Sequence, residues 1–301
     1  MLMLFHQQSP VRKGITDMKK AFLRIVVFLA AVLICIPCSG KGAETRKLTL
    51  MIYMCGSNLE SGSGAASLDL EEIKAAGFGS EVTVLALTGG SKGNGTSPYY
   101  PDDTVRIYQL AYGRSRCVWQ SDDPMNMGDP DTLTQLLTFG QEHYPADEYA
   151  RMLWHHGGGP LEGVCWDELF SLDCLSLSEI TEGIRAAGLE RKLKWIGFDA
   201  CLMSSLEVAH ALSPYAEYMI ASQETEPSYG WNYAFLHGIE EDETGAETGR
   251  RIVDLYFAGH EDTGDFLTLA CLDLSKTEDV VRAMYLAFSE TAADISETYI
   301  A

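Results

Sequence analysis

Short apolar runs of strand length alternate along this chain with segments of helical period, a pattern that calls for helices packed on both faces of a largely parallel sheet. Residues 48–54, 81–88, 150–154, 193–198, 217–222 and 266–274 read as strands. Residues 67–76, 131–143, 178–187, 204–212, 249–257 and 278–300 read as helices, with Asp131 and Ser178 as N-caps. Residues 104–110 and 116–120 read as a short side ribbon. The stretch 89–103 and the one holding Cys165-Trp166-Asp167-Glu168 read as loops. The expected fold is α/β, a three-layer sandwich around a mostly parallel central sheet.

Two of the strand-like runs end in a residue able to do chemistry. Leu153-Trp154 leads into His155-His156-Gly157-Gly158-Gly159, and Ile196-Gly197-Phe198 leads into Asp199-Ala200-Cys201-Leu202-Met203. In open α/β sheets the functional crevice lies beyond the carboxyl ends of the strands, so two adjacent parallel strands would carry His156 and Cys201 to one edge. A thiol attacks as thiolate and needs a lowered pKa or a nearby base. An imidazole beside Cys201 would be that base, and a helix start just after Cys201 would favour the thiolate. A Gly-Gly run lets the backbone approach a substrate without a Cβ in the way. The N–H groups of Gly157 and Cys201 are then candidates to bind the oxyanion of a tetrahedral intermediate. The loop from Gln223 to Trp231, polar and carrying two aromatics, reads as a wall of the cleft.

The first forty residues carry a different signal. From Met18, Lys19-Lys20 and Arg24 flank an apolar stretch from Ile25 to Ile36, followed by Pro37-Cys38-Ser39-Gly40, the order of a secretory signal cleaved near Gly40. Met18 is read as the start and residues 1–17 as an upstream extension. The apolar stretch is too short for a stable span, so export to the periplasm, cell envelope or exterior is expected. Cys38 as a lipid-modified residue is the alternative, disfavoured by Pro37. These residues hold five of the 22 basic and one of the 43 acidic side chains, which leaves 17 against 42 and a formal charge of −25 for residues 41–301. That balance argues against a nucleic-acid partner and suits basic peptides. Six cysteines remain, Cys55, Cys117, Cys165, Cys174, Cys201 and Cys271, with no CxxC among them. Neither a disulfide framework nor a zinc site is indicated.

The residues Ile52 to Glu60, Asp69-Leu70-Glu71-Glu72-Ile73, Leu153 to Gly159, Ile196 to Met203 and Glu224 to Trp231 together resemble the clostripain family of cysteine peptidases over about residues 48–260. The resemblance implies a caspase-like sandwich, related to that of the gingipains, over residues 41–301. A missing C-terminal part is left open. It implies His156 as general acid/base and Cys201 as nucleophile of an endopeptidase that forms a thioester acyl-enzyme. It further implies cleavage of peptides and proteins after Arg or Lys, with Asp199 at the base of the P1 pocket. Relatives usually carry an acid before the catalytic His, where this chain has His155, a second imidazole read as non-catalytic. Relatives are often matured by cutting at a basic residue in the linker between His and Cys, whereas residues 157–184 contain no Lys or Arg, so no such early cut is expected.

Two other classes compete. His156-Gly157-Gly158-Gly159 also looks like an esterase oxyanion segment and Gly89-Gly90-Ser91-Lys92-Gly93 matches GxSxG, but the order is reversed and Ser91 leads into a loop. An inactive family member acting as a binding or adhesion protein is the other. No cofactor is required by the expected chemistry. Calcium accompanies some relatives, yet no DxDxDG loop occurs, and Glu240-Glu241-Asp242-Glu243 reads as a solvated acidic face.

Overall fold

The computed structural model describes residues 46–300 except 94, 240–242, 262, 263 and 265, and of 292–300 the backbone alone. The segment read as an export signal, Cys38 and the first three residues of the acidic run lie outside the described residues. Ten strands are present among those described: β1 (Arg46–Cys55), β2 (Val82–Gly89), β3 (Arg106–Ala111), β4 (Arg114–Gln120), β5 (Ala146–Trp154), β6 (Val164–Asp167), β7 (Asp173–Leu175), β8 (Leu193–Asp199), β9 (Ala216–Ala221) and β10 (Ala270–Asp273). Eight of them form one sheet in the order β10-β9-β8-β5-β1-β2-β3-β4. The pairs β2/β1, β1/β5, β5/β8 and β8/β9 are parallel, and antiparallel strands flank them at both edges.

The central strand β1 shows why the layers form. It is apolar almost throughout, and a strand sends alternate side chains to opposite faces, so both faces must be covered. Met51, Tyr53 and Cys55 pack on one face with Leu133, Leu136 and Leu137 of α3 (Pro130–His143). Ile180 and Ile184 of α5 (Leu177–Ala186) and Val208 and Leu212 of α6 (Leu206–Leu212) join the same cluster. Leu48, Leu50, Ile52 and Met54 pack on the other face with Ala66, Leu70 and Ile73 of α2 (Ala65–Ala76) and Ile252 and Tyr256 of α7 (Gly245–Gly259). Full burial of one such side chain contributes about 1.5–3 kcal/mol. The expected α/β/α sandwich is thus the observed one.

Several local expectations are corrected. The ribbon 104–120 is no side element, because β3 pairs with β2 and continues the main sheet. The stretch after the His-Gly block is a hairpin, β6 with β7, rather than a loop. Helix α3 is capped by Asp129, whose carboxylate accepts from the Asp131 N–H, with Pro130 at the first helical position. Helix α5 is capped by Ser176 instead of Ser178, since Glu179 stands three residues on and closes a capping box. Glu243 is buried against Arg251, at 2.6 Å, and belongs to no solvated face.

Candidate active site

Strands β5 and β8 are parallel neighbours with Trp154 opposite Asp199. Residues two beyond each register position therefore leave the sheet at the same edge, and those residues are His156 and Cys201. The His155 N–H donates to the Asp199 carbonyl at 3.3 Å, which carries the ladder one residue further. Gly157 then lies against Cys201 so closely that a Cβ at 157 would overlap the Cys201 carbonyl. From the other side the hairpin holds the loop, with the Cys165 N–H on the His156 carbonyl at 3.3 Å and the Gly158 N–H on the Gly163 carbonyl at 2.8 Å. This is a bridge in which Gly157 faces Val164 without exchanging hydrogen bonds. Among the described residues no acceptor takes the N–H of Gly157 or of Cys201.

Cys201 is not at a helix N-terminus. Helix α6 begins at Leu206 behind its cap Ser205, and Cys201 sits in a turn in which Leu202 has φ +67°. That turn is pinned by the following loop, through Leu202 N–H to the Glu224 carbonyl (3.1 Å) and Ser204 N–H to the Ser222 carbonyl (2.8 Å). In place of a helix dipole, the backbone N–H of Glu226 donates to the Cys201 sulfur at 3.2 Å. The loop 223–231 thus borders the thiol, though only one of its aromatics is available to a cleft. Tyr229 is 71% exposed, whereas Trp231 is buried in the core beside Gly197.

The two imidazoles differ by burial. His155 is buried, accepts the Trp166 N–H on Nδ1 at 3.2 Å, and has its pKa pushed down to about 3 by burial and then by His156. It therefore stays neutral at pH 7. His156 is exposed, lies edge-on to His155 with ring centres 4.5 Å apart, and places Nε2 3.2 Å from Asn58 Oδ1. Partial desolvation holds its pKa below the usual imidazole range, so it is neutral and basic at pH 7.

Asp199 is buried, with Oδ2 accepting from Tyr233 Oη (2.6 Å) and from the Trp231 N–H (3.2 Å). Burial raises its pKa to about 6 although both bonds pull the other way. Gly230, at φ +62°, packs on this carboxylate, and a Cβ there would stand 2.9 Å from Oδ1. Glu226 lies beside Asp199. Burial and then Asp199 push its carboxyl well up, and neither of its oxygens meets a hydrogen-bond partner of good geometry. Behind this pair, Asp69 accepts from Trp154 Nε1 at 2.7 Å, and burial together with Asp199 raises it to about 9. Glu72 accepts the Tyr233 N–H at 2.8 Å. Asn58 and Glu226 lie within segments that carry the resemblance but are not singled out in the sequence, because only the fold sets them beside His156 and Cys201. Ser91 of the GxSxG match is buried and donates to the Ser57 carbonyl at 2.8 Å. Among the described residues no group of three or more His, Cys, Asp or Glu is placed to hold a metal ion.

Two outcomes follow from this packing. If the Gly157 N–H is the oxyanion donor expected from the sequence, Gly157→Ala should lower kcat/KM for a peptide substrate by about 100-fold or more; wild-type kinetics in that variant would contradict the contact with Cys201. Asp69 stays protonated in the fold at neutral pH but ionises in the unfolded chain above its ordinary pKa, so it costs stability increasingly as pH rises from about 4 to about 9. The thermal midpoint of Asp69→Asn minus that of the wild type should therefore grow between those limits, and a difference that is flat with pH would count against a buried, protonated Asp69.

The chain is similar to clostripain from Hathewaya histolytica, 27% identical over 205 residues that make up 57% of this chain and 37% of clostripain. It thus spans little more than a third of that relative. Among solved structures it is similar to a secreted C11 cysteine protease from Bacteroides thetaiotaomicron in complex with an irreversible peptide inhibitor, with TM-score 0.64 and 20% identity over 79% of this chain and 69% of that one. It is also similar to an inactive zymogen C11 protease from Parabacteroides distasonis, with TM-score 0.63 and 24% identity over 79% of this chain and 64% of that one. At those identities the two structures speak for the fold, which they share. The clostripain family model matches residues 52–298, and with that match across most of its length this chain belongs to the clostripain family.

Proposed function

We propose that this protein is an exported cysteine endopeptidase that cleaves after Arg or Lys, with Cys201 as nucleophile and His156 as general acid/base. The observation that carries the reading is the parallel register of Trp154 with Asp199, which brings the imidazole and the thiol off one sheet edge and seats Gly157 on Cys201. His156, neutral at pH 7, takes the proton of Cys201, and the sulfur attacks the scissile carbonyl. The carbonyl oxygen becomes an oxyanion that the N–H groups of Gly157 and Cys201, which have no acceptor among the described residues, would bind, where one donor is worth about 3–4 kcal/mol in comparable sites. His156 returns its proton to the leaving amine, and the acyl group stays on sulfur as a thioester. Water, deprotonated by the same imidazole, then releases the acid and restores the thiol. The reaction as written runs on these side chains and needs no cofactor.

The preference for a basic P1 residue rests on charge. Asp199 lies two residues before the nucleophile with Glu226 beside it, and a guanidinium or ammonium group would relieve two adjacent carboxyls that burial holds partly protonated. Binding of such a cation requires the ionised form of Asp199. Because that carboxyl is raised to about 6, recognition of Arg or Lys is complete above this value and weakens as pH falls through it.

The test compares the protein from residue 41 onward with Cys201→Ala on fluorogenic peptides that differ only in Arg, Lys, Asp or Leu at P1. Cleavage of the Arg and Lys peptides alone, abolished in the variant, with KM rising below about pH 6 as Asp199 protonates, is the expected result. Cleavage that favours Asp or Leu would remove the basic preference, and absence of cleavage by folded protein supplied with calcium would favour a binding role.

A further inference from the structure

We infer that Asn58 is a positioning residue for His156: it holds the imidazole with its proton on Nε2 and leaves Nδ1 to take the proton of Cys201. The inference rests on the peptidase reading above and extends it from two side chains to three. Its first support is the contact itself, Nε2 to Asn58 Oδ1 at 3.2 Å. An amide oxygen only accepts, so with Oδ1 turned to the ring the contact selects the tautomer with its proton on Nε2. A neutral imidazole has one N–H, and the nitrogen left with a lone pair is Nδ1.

The second support is the topology. Strands β1, β5 and β8 are consecutive neighbours, all parallel, with Met54 opposite Trp154 and Trp154 opposite Asp199. Four residues beyond Met54 is Asn58, two beyond Trp154 is His156, and two beyond Asp199 is Cys201. Three adjacent strands therefore present the three side chains at the same sheet edge in the order Asn58, His156, Cys201.

The third support is the backbone that presents Asn58. Ser57 has φ +42°, in the left-handed region where a non-glycine residue is strained. The surroundings hold it there: the Gly56 N–H donates to the Gly89 carbonyl at 2.9 Å, and Ser91 Oγ donates to the Ser57 carbonyl at 2.8 Å. One turn on in α1 (Ser57–Ser63), buried Glu60 accepts from the Ser67 N–H at 2.9 Å and Ser67 Oγ at 2.7 Å. Helix α1 has no side-chain cap, so the Asn58 amide is not engaged in capping. A strained, tied turn whose side chain goes to the imidazole is accounted for by a fixed tautomer.

In the first step the proton leaves Sγ for Nδ1, giving an imidazolium whose Nε2–H still points at Oδ1. In the second step Nδ1 gives that proton to the departing amine, and the Asn58 contact persists throughout without bonding to substrate.

The experiment uses Asn58→Ala and Asn58→Asp, with two readouts: kcat and KM on an Arg-P1 peptide, and the pH profile of Cys201 alkylation by iodoacetamide. Asn58→Ala should lower kcat by roughly 10- to 100-fold, by analogy with the loss of a partner that orients a metal-ligating histidine, while KM and thermal midpoint stay close to wild type. Asn58→Asp places a carboxylate on Nε2–H, raises the His156 pKa, and should move the acid limb of both profiles to higher pH. Unchanged kcat and an unmoved limb in folded variants would overturn the inference. So would a loss confined to KM and thermal midpoint, which would mark a purely structural residue. If the wild type cleaves no peptide, the peptidase reading fails by itself, and alkylation still decides on Asn58: a limb moved by Asn58→Asp supports the contact, and an unmoved limb overturns it.

Discussion

The parallel alignment of β5 with β8 is the interaction on which the rest of the site depends. Backbone hydrogen bonds set that register, and the alternation of side chains makes it costly to change, because a slip of one residue would turn Trp195 and Phe198 to the wrong faces. Residues 150–154 of β5 and all of β8 are buried, so the ends of both strands are held by the packing of the core. The thiol and imidazole are positioned from two residues away, and the contact of Gly157 with Cys201 allows no side chain between them.

A second constraint is the group of acids behind the nucleophile. Asp69, Glu72, Asp199 and Glu226 lie close enough for each to act on at least one of the others, in a region from which water is largely withdrawn. Tyr233 Oη, the Trp231 N–H and Trp154 Nε1 stabilise individual members, and protonation of Asp69 relieves the remainder. Such an arrangement is unfavourable for folding and favourable for taking up a cation. In the proposed peptidase a bound guanidinium or ammonium group would relieve it, which would tie that proposed specificity to pH.

Much of this was legible in the sequence. The continuous apolar run of β1 and the shorter runs of β5 and β8 announce strands buried on both faces, and the His-Gly and Asp-Ala-Cys endings mark the edge that matters. What was not legible depended on tertiary contacts. The side chain at 155 is as suited to catalysis as that at 156, and only burial under the β6–β7 hairpin separates them. Three or four residues per strand give β6 and β7 too little pattern to be read. The helix after Cys201 starts later than its apolar period implies, because Ser205 caps it and Leu202 takes a left-handed conformation that no local signal demands. The partners of the site, Asn58 and the Glu226 N–H, come from segments 143 residues before and 25 residues after Cys201, and the fold alone places them.

The measurement that bears most directly on the central claim is peptide mapping after treatment with an Arg-terminated peptide bearing an electrophilic ketone. The account predicts one adduct, on Cys201, with Cys55, Cys117, Cys165, Cys174 and Cys271 unmodified, and loss of that labelling in His156→Ala. Labelling of a different cysteine, or of Cys201 equally well without His156, would contradict it.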